Sequence, residues 1–210
     1  MAGLGEVVKV DASGAKLAQA PCEDRGSASR TVVLPVDGSA EAEAALQWAA
    51  ENVLRRGDVA FVVSAVPQHK HTVLSDGAYE GDVVSWQETV RRRKDECDAG
   101  LREGKAFVDR GARRLQAALR ASGGKDVGVT IRPVVLDACD TIRTPYGGNS
   151  PGKSIARFAA CERANLVVMT SRGLGCAQKL ALSAAGLGSV SDEVTKRAAC
   201  PTTIVRLARP

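Results

Sequence analysis

Two glycine-bearing segments near the C-terminus, Thr170-Ser171-Arg172-Gly173 and Gly188-Ser189-Val190-Ser191, are the part of this sequence best suited to chemistry. Both can present backbone N–H groups with no side chain in the way, which is how α/β proteins hold phosphate or another anion. The second segment leads into Asp192-Glu193-Val194, an acidic first helical turn, with Lys196 and Arg197 toward the opposite end of the helix dipole. Farther upstream, Asp37 can accept from an amino group or a ribose hydroxyl, although Asp37-Gly38-Ser39 also reads as a plain turn and helix cap. Val36 and Val66 each close an apolar run, and together they would make a slot for a flat purine.

Other residues compete for attention. Residues Gly147-Gly148-Asn149-Ser150-Pro151-Gly152-Lys153-Ser154 satisfy the GxxxxGK[ST] pattern of a phosphate-binding loop. Against a phosphotransferase built on Gly147 to Ser154, Asp137 to Tyr146 separates the loop from its strand and Pro151 removes an N–H from the cradle. The later strand also ends in Thr170 where a metal-holding Asp belongs. In a weaker role, Lys153 would reach a phosphate from the same edge of the sheet. His69 and His71 lack a third ligand and read as solvated. The cysteines, Cys22, Cys97, Cys139, Cys161, Cys176 and Cys200, show no CxxC spacing and read as reduced thiols. Cys176 lies within the glycine loop, which leaves a redox role open there. Trp48 and Trp86 read as packing residues. No metal site is expected, and no nucleophile–histidine–acid arrangement nominates a catalytic residue.

The elements that must position these residues alternate. Strand-like runs occupy Thr31 to Val36, Val59 to Val66, Val127 to Leu136, Leu166 to Met169 and Thr202 to Val205. Capped helices fall between them: Ala40 to Arg55, closed by Gly57; Ser85 to Ala121, with a break expected near Gly100; and Ser150-Pro151 through Cys161. The reading is an α/β fold, a five-stranded parallel open sheet with helices on both faces (Rossmann-like). In such a sheet, ligands sit beyond the carboxyl ends of the strands, where strand order reverses. Residues 1–29 carry mixed charges without periodicity and read as a disordered leader, residues 30–206 as the domain and 207–210 as a tail.

Hydrophobic residues make up 44% and charged residues 25% of the 210, the balance of an ordinary globular domain. Aromatic residues are 3%, too few for a surface that stacks bases, so nucleic acid is not an expected partner. The formal net charge is +5, much of it in Arg91-Arg92-Arg93-Lys94 and Arg113-Arg114, which read as solvated helix faces. No apolar run reaches the roughly 18 residues of a membrane span, so no membrane association is expected. A cytoplasmic location follows, or an organelle if the leader is a transit peptide, although Glu6, Asp11, Glu23 and Asp24 make it acidic for one.

Val36-Asp37-Gly38-Ser39, the run Asn165 to Gly173, Gly188-Ser189-Val190-Ser191 and Cys200-Pro201-Thr202 together resemble the universal stress protein family. The resemblance covers Arg30 to Arg206 in the family's order of elements. It implies a homodimer pairing through the last strand, Thr202 to Val205, and a role in stress response or signalling with protein partners it does not name. It implies a binding protein rather than a dedicated enzyme, with at most slow incidental ATP hydrolysis. Nucleotide-binding members carry Gly-x2-Gly-x9-Gly-Ser/Thr; here Gly173 matches the second glycine and Gly188-Ser189 the closing pair. Thr170 stands in place of the first glycine, and fourteen residues rather than nine separate Gly173 from Gly188. On this resemblance the ligand is ATP or AMP, with Mg²⁺ as an accompanying ion. The site residues are Pro35, Val36, Asp37, Val66, Met169, Thr170, Arg172, Gly173, Gly188, Ser189, Val190 and Ser191. The alternative is the same fold without nucleotide, acting as a protein-interaction module.

Overall fold

The structure, a computed structural model, describes residues 6–9, 29–66, 83–123, 128–137, 150–170 and 189–206. Among the described residues six strands form one sheet: β1 (Glu6–Lys9), β2 (Thr31–Pro35), β3 (Val59–Val66), β4 (Thr130–Asp137), β5 (Leu166–Thr170) and β6 (Thr202–Val205). The helices among the described residues are α1 (Ala40–Asn52), α2 (Val83–Gly123), α3 (Pro151–Cys161) and α4 (Ser189–Arg197). Strand order is β1-β4-β3-β2-β5-β6, and every recorded pairing is parallel. The chain moves from β2 outward to β3 and β4, then crosses back to lay β5 on the other side of β2.

All five expected strands are present and parallel. The sixth lies inside the segment read as a disordered leader, and that reading is corrected for Glu6–Lys9. They pair with β4 in parallel, from Glu6 opposite Val134 to Lys9 opposite Asp137. The physical cause is simple: β4 would otherwise present an unpaired edge, and the β-branched pair Val7-Val8 suits a ladder.

Side chains alternate along the strands, and β2, β3 and β5 are buried on both faces. Val32, Leu34 and Val62 point into a core shared with Leu46 of α1 and Val108 and Leu115 of α2. Val33, Phe61, Val63 and Val167 point the other way, toward Phe158 of α3 and Val194 of α4. Phe61 and Phe158 meet edge to face with centroids 5.2 Å apart.

Local chemistry sets the element ends. Pro35 is the last residue of β2, where its missing N–H costs least. α1 stops at Asn52, short of the expected Arg55, because the buried Asp58 captures the chain there. Asp58 Oδ2 accepts from the Arg55 N–H at 2.8 Å. The same carboxylate takes both Nε and a terminal nitrogen of Arg30, at 3.0 and 2.6 Å. This hydrogen bonding raises the Arg30 pKa and joins the starts of β2 and β3.

The break expected near Gly100 does not occur: α2 runs unbroken for 41 residues. Gly100, Gly104 and Gly111 lie on one helical face, and that face lies on the sheet. A Cβ on Gly100 would fall 2.8 Å from Val66 Cγ1, and one on Gly104 would fall 3.2 Å from Val135 and Val66 methyls. One on Gly111 would fall 3.0 Å from Val62 Cγ1 and 3.3 Å from Leu46 Cδ1. Close packing offsets the propensity cost of about 1 kcal/mol per helical glycine. Gly111→Val should therefore lower stability in a urea melt by about 1–3 kcal/mol, despite removing a helix glycine.

Candidate functional site

Because the strands are parallel, the carboxyl ends of β2, β3 and β5 lie along one edge, and strand order reverses between β2 and β5. The Val33–Val167 pairing, carried two residues farther, sets Pro35 level with Met169. The starts of these two strands are locked by Asn165, whose Oδ1 accepts from the Thr31 N–H at 2.8 Å. Its own N–H donates to Thr31 O at 2.8 Å.

Beyond Pro35 the Val36 N–H donates to Val63 O at 2.7 Å, extending the ladder by one residue. Asp37 then turns the chain. Its Oδ1 accepts from the Ser39 N–H at 3.0 Å and from Ser39 Oγ at 2.5 Å. Ser39 caps α1 by accepting from the Ala42 N–H at 3.2 Å. Turn and cap are thus both built, and one Asp37 oxygen is committed to them. Val36 and Val66 are 7% and 5% exposed and share the core beneath α2. Met169 is 5% exposed on the opposite face, and Thr170 is half-buried at the end of β5. Ser189 opens α4, Val190 packs against the core under α3, and Ser191 is 3% exposed. Ser191 also accepts at its carbonyl from Thr195 Oγ1 at 2.7 Å. The structure therefore brings Pro35, Val36, Asp37, Val66, Met169 and Thr170 to the carboxyl edge. Arg172, Gly173 and Gly188 lie outside the described residues, as do His69, His71 and Cys176.

Sequence reasoning missed Phe107. It continues the α2 glycine face, following Gly100 and Gly104 at helical spacing and preceding Gly111. Its ring rests on Gly38, where an added Cβ would fall 2.4–2.8 Å from three ring carbons. Gly38 has φ +77°, in the left-handed region. The Arg110 guanidinium lies 5.5 Å from the ring centroid, and Arg110 and Arg114 reach Glu43 of α1 at 3.6 and 3.1 Å. The signal for Phe107 was its place in the glycine spacing, which read instead as a helix break.

The described half of the phosphate-loop pattern, Ser150 to Ser154, has a structural explanation. Ser150 caps α3, accepting from the Lys153 N–H at 3.3 Å, and its Oγ donates to Glu193 Oε2. A Cβ on Gly152 would fall 2.8 Å from Glu193 Cβ, so the glycine is needed for Glu193 to approach. Arg197 Nε holds the other carboxylate oxygen at 3.3 Å. The anion at this helix N-terminus is the chain's own carboxylate, and Ser154 is 5% exposed.

No group of His, Cys, Asp and Glu among the described residues could hold a metal ion. Trp48 packs against the core, as expected. Cys200 is half-buried, and burial pushes its thiol pKa up, as in an unreactive thiol. No described helix is long and apolar enough to cross a membrane.

A family model described as "Universal stress protein family" matches residues 28–138 and 140–206. The chain belongs to the universal stress protein family. Solved structures similar to it include a universal stress protein from Archaeoglobus fulgidus, 21% identical, covering 84% of this chain and 93% of that one with a TM-score of 0.48. Another is a universal stress protein in complex with cAMP, 24% identical, covering 85% of this chain and 98% of that one with a TM-score of 0.45. A third is a family protein from Arabidopsis thaliana with AMP bound, 14% identical, covering 84% and 90% with a TM-score of 0.47. Comparison with curated proteins gives no match.

Gly38 carries two demands, its backbone conformation and the ring above it. Gly38→Ala should destabilise the protein by at least about 1–2 kcal/mol from the left-handed backbone alone. A double-mutant cycle with Phe107→Ala, read from urea melts, should recover the steric part of the loss.

Proposed function

We propose that this universal stress protein binds an adenine nucleotide, ATP or AMP, at the carboxyl edge of its sheet and acts as a homodimer in cytoplasmic stress response or signalling. It is a binding protein, and any ATP hydrolysis, with or without Mg²⁺, is slow and incidental. One observation carries the reading: strand order reverses between β2 and β5, Asp37 and Thr170 stand at that reversal, and Val66 ends the neighbouring β3. α4 opens at Ser189, and the Gly188-Ser189 segment would supply backbone N–H groups for phosphate. In this reading the base lies near Val36 and Val66 and the ribose near Asp37. The phosphates lie over Gly173, Gly188 and residues Ser189 to Ser191, with Pro35, Met169, Thr170 and Arg172 lining the remainder.

A second reading, the same fold acting without nucleotide, is favoured by the burial of Val36 and Val66 and by the Asp37–Ser39 hydrogen bonds. Calorimetry with AMP and ATP separates the two. Wild type is expected to bind, Thr170→Gly to bind several-fold more tightly, and Gly188→Val more weakly through blocked backbone approach. Absence of binding to both wild type and Thr170→Gly establishes the second reading.

The dimer rests on β6, which ends the sheet and so presents an edge that a second copy could extend across a two-fold axis. Sedimentation at micromolar concentration should give twice the mass of one chain. A monomer throughout that range would rule the dimer out.

A further inference from the structure

We propose that Phe107 is the gate of the nucleotide site: its ring occupies the volume above the Asp37-Gly38-Ser39 turn and must swing away before an adenosine ribose can reach Asp37. The inference rests on the nucleotide reading and deepens it by naming what regulates entry.

The geometry of α2 places the gate. Gly100 and Gly104 bring the helix backbone down onto Val66, and Gly111 does the same over Val62 and Val36. Phe107 lies between these contacts, so its side chain meets the β2–α1 turn directly. Three ring carbons lie within 2.8 Å of where a Cβ on Gly38 would be, so the ring sits on the backbone of the turn itself. In this proposal a ribose donating to Asp37 comes in over the same turn and meets the ring. Phe61 and Phe158 are buried in the opposite core, and Trp48 packs against α1's own core. Among the described side chains, Phe107 is therefore the aromatic at this rim.

The gate has a latch. Arg110 lies over the ring, and Glu43 of α1 holds Arg110 and Arg114 together. Phe107 is half-buried, packed against the edge of the core, and Arg110 is exposed, so the ring has solvent on one side toward which to leave Gly38. A closed gate lowers apparent affinity by the fraction of molecules in which the site is open.

The test titrates AMP into the full chain by calorimetry, comparing wild type, Phe107→Ala, Phe107→Leu, Arg110→Ala and Thr170→Gly, with thermal melts to establish folding. If the gate is closed in nine of ten molecules, Phe107→Ala should bind about tenfold more tightly than wild type. Phe107→Leu, which keeps apolar packing without the ring, should show part of that gain and decides the question if Phe107→Ala does not fold. Arg110→Ala should give a smaller gain in the same direction. If wild type or Thr170→Gly binds AMP while both Phe107 variants bind equally or less tightly, the gate is overturned and the nucleotide reading stands. If no variant binds AMP, both are overturned.

Discussion

The close approach of α2 to β3 is the constraint on which the rest of this structure depends. Gly100, Gly104 and Gly111 leave no Cβ at three points where the helix meets the sheet, and valine methyls, those of Val62 and Val66 among them, fill the space. Burial of Val62 and Val66 follows, and so does the position of every other residue on that face of α2. Phe107 is carried onto Gly38 by this packing, and Arg110 and Arg114 are carried to Glu43.

The opposite layer is organised by charge as well as packing. α3 and α4 meet through Phe158 and Val194 in the core and through Glu193 at the surface. A carboxylate at a helix N-terminus is favoured by the dipole and by the N–H groups left without helical partners. Glu193 also accepts from Arg197 one turn along its own helix, which completes its hydrogen bonding. α4, whose start the proposed phosphate site uses, is thereby tied to α3 and, through Phe158 on Phe61 of β3, to the centre of the sheet.

Much of the fold was legible because its signals are local. β-branched runs, the Ser39 and Ser150 caps and Pro35 at a strand end each act within a few residues, and each stands where the sequence put it. The errors came from contacts distant in sequence. Propensity argued for a break at Gly100, and packing against Val66 overrode it. Residues 6–9 carried no periodicity long enough to read, and the free edge of β4 made them a strand. The GxxxxGK[ST] pattern was present letter for letter, yet the anion at its helix is Glu193, some forty positions away.

The sequence by itself determined the alternation of strand and helix, and with it a parallel sheet and an edge where loops gather. It also determined the family, through the Asp37 turn and the Gly188-Ser189 segment. Only the tertiary structure decided which face of α2 meets the sheet, that Val36 and Val66 lie beneath that helix, and that an aromatic ring rests on Gly38. The reason is physical: caps and strand runs are fixed by neighbours along the chain. A glycine face or a lone phenylalanine acquires meaning only from the surface it is pressed against.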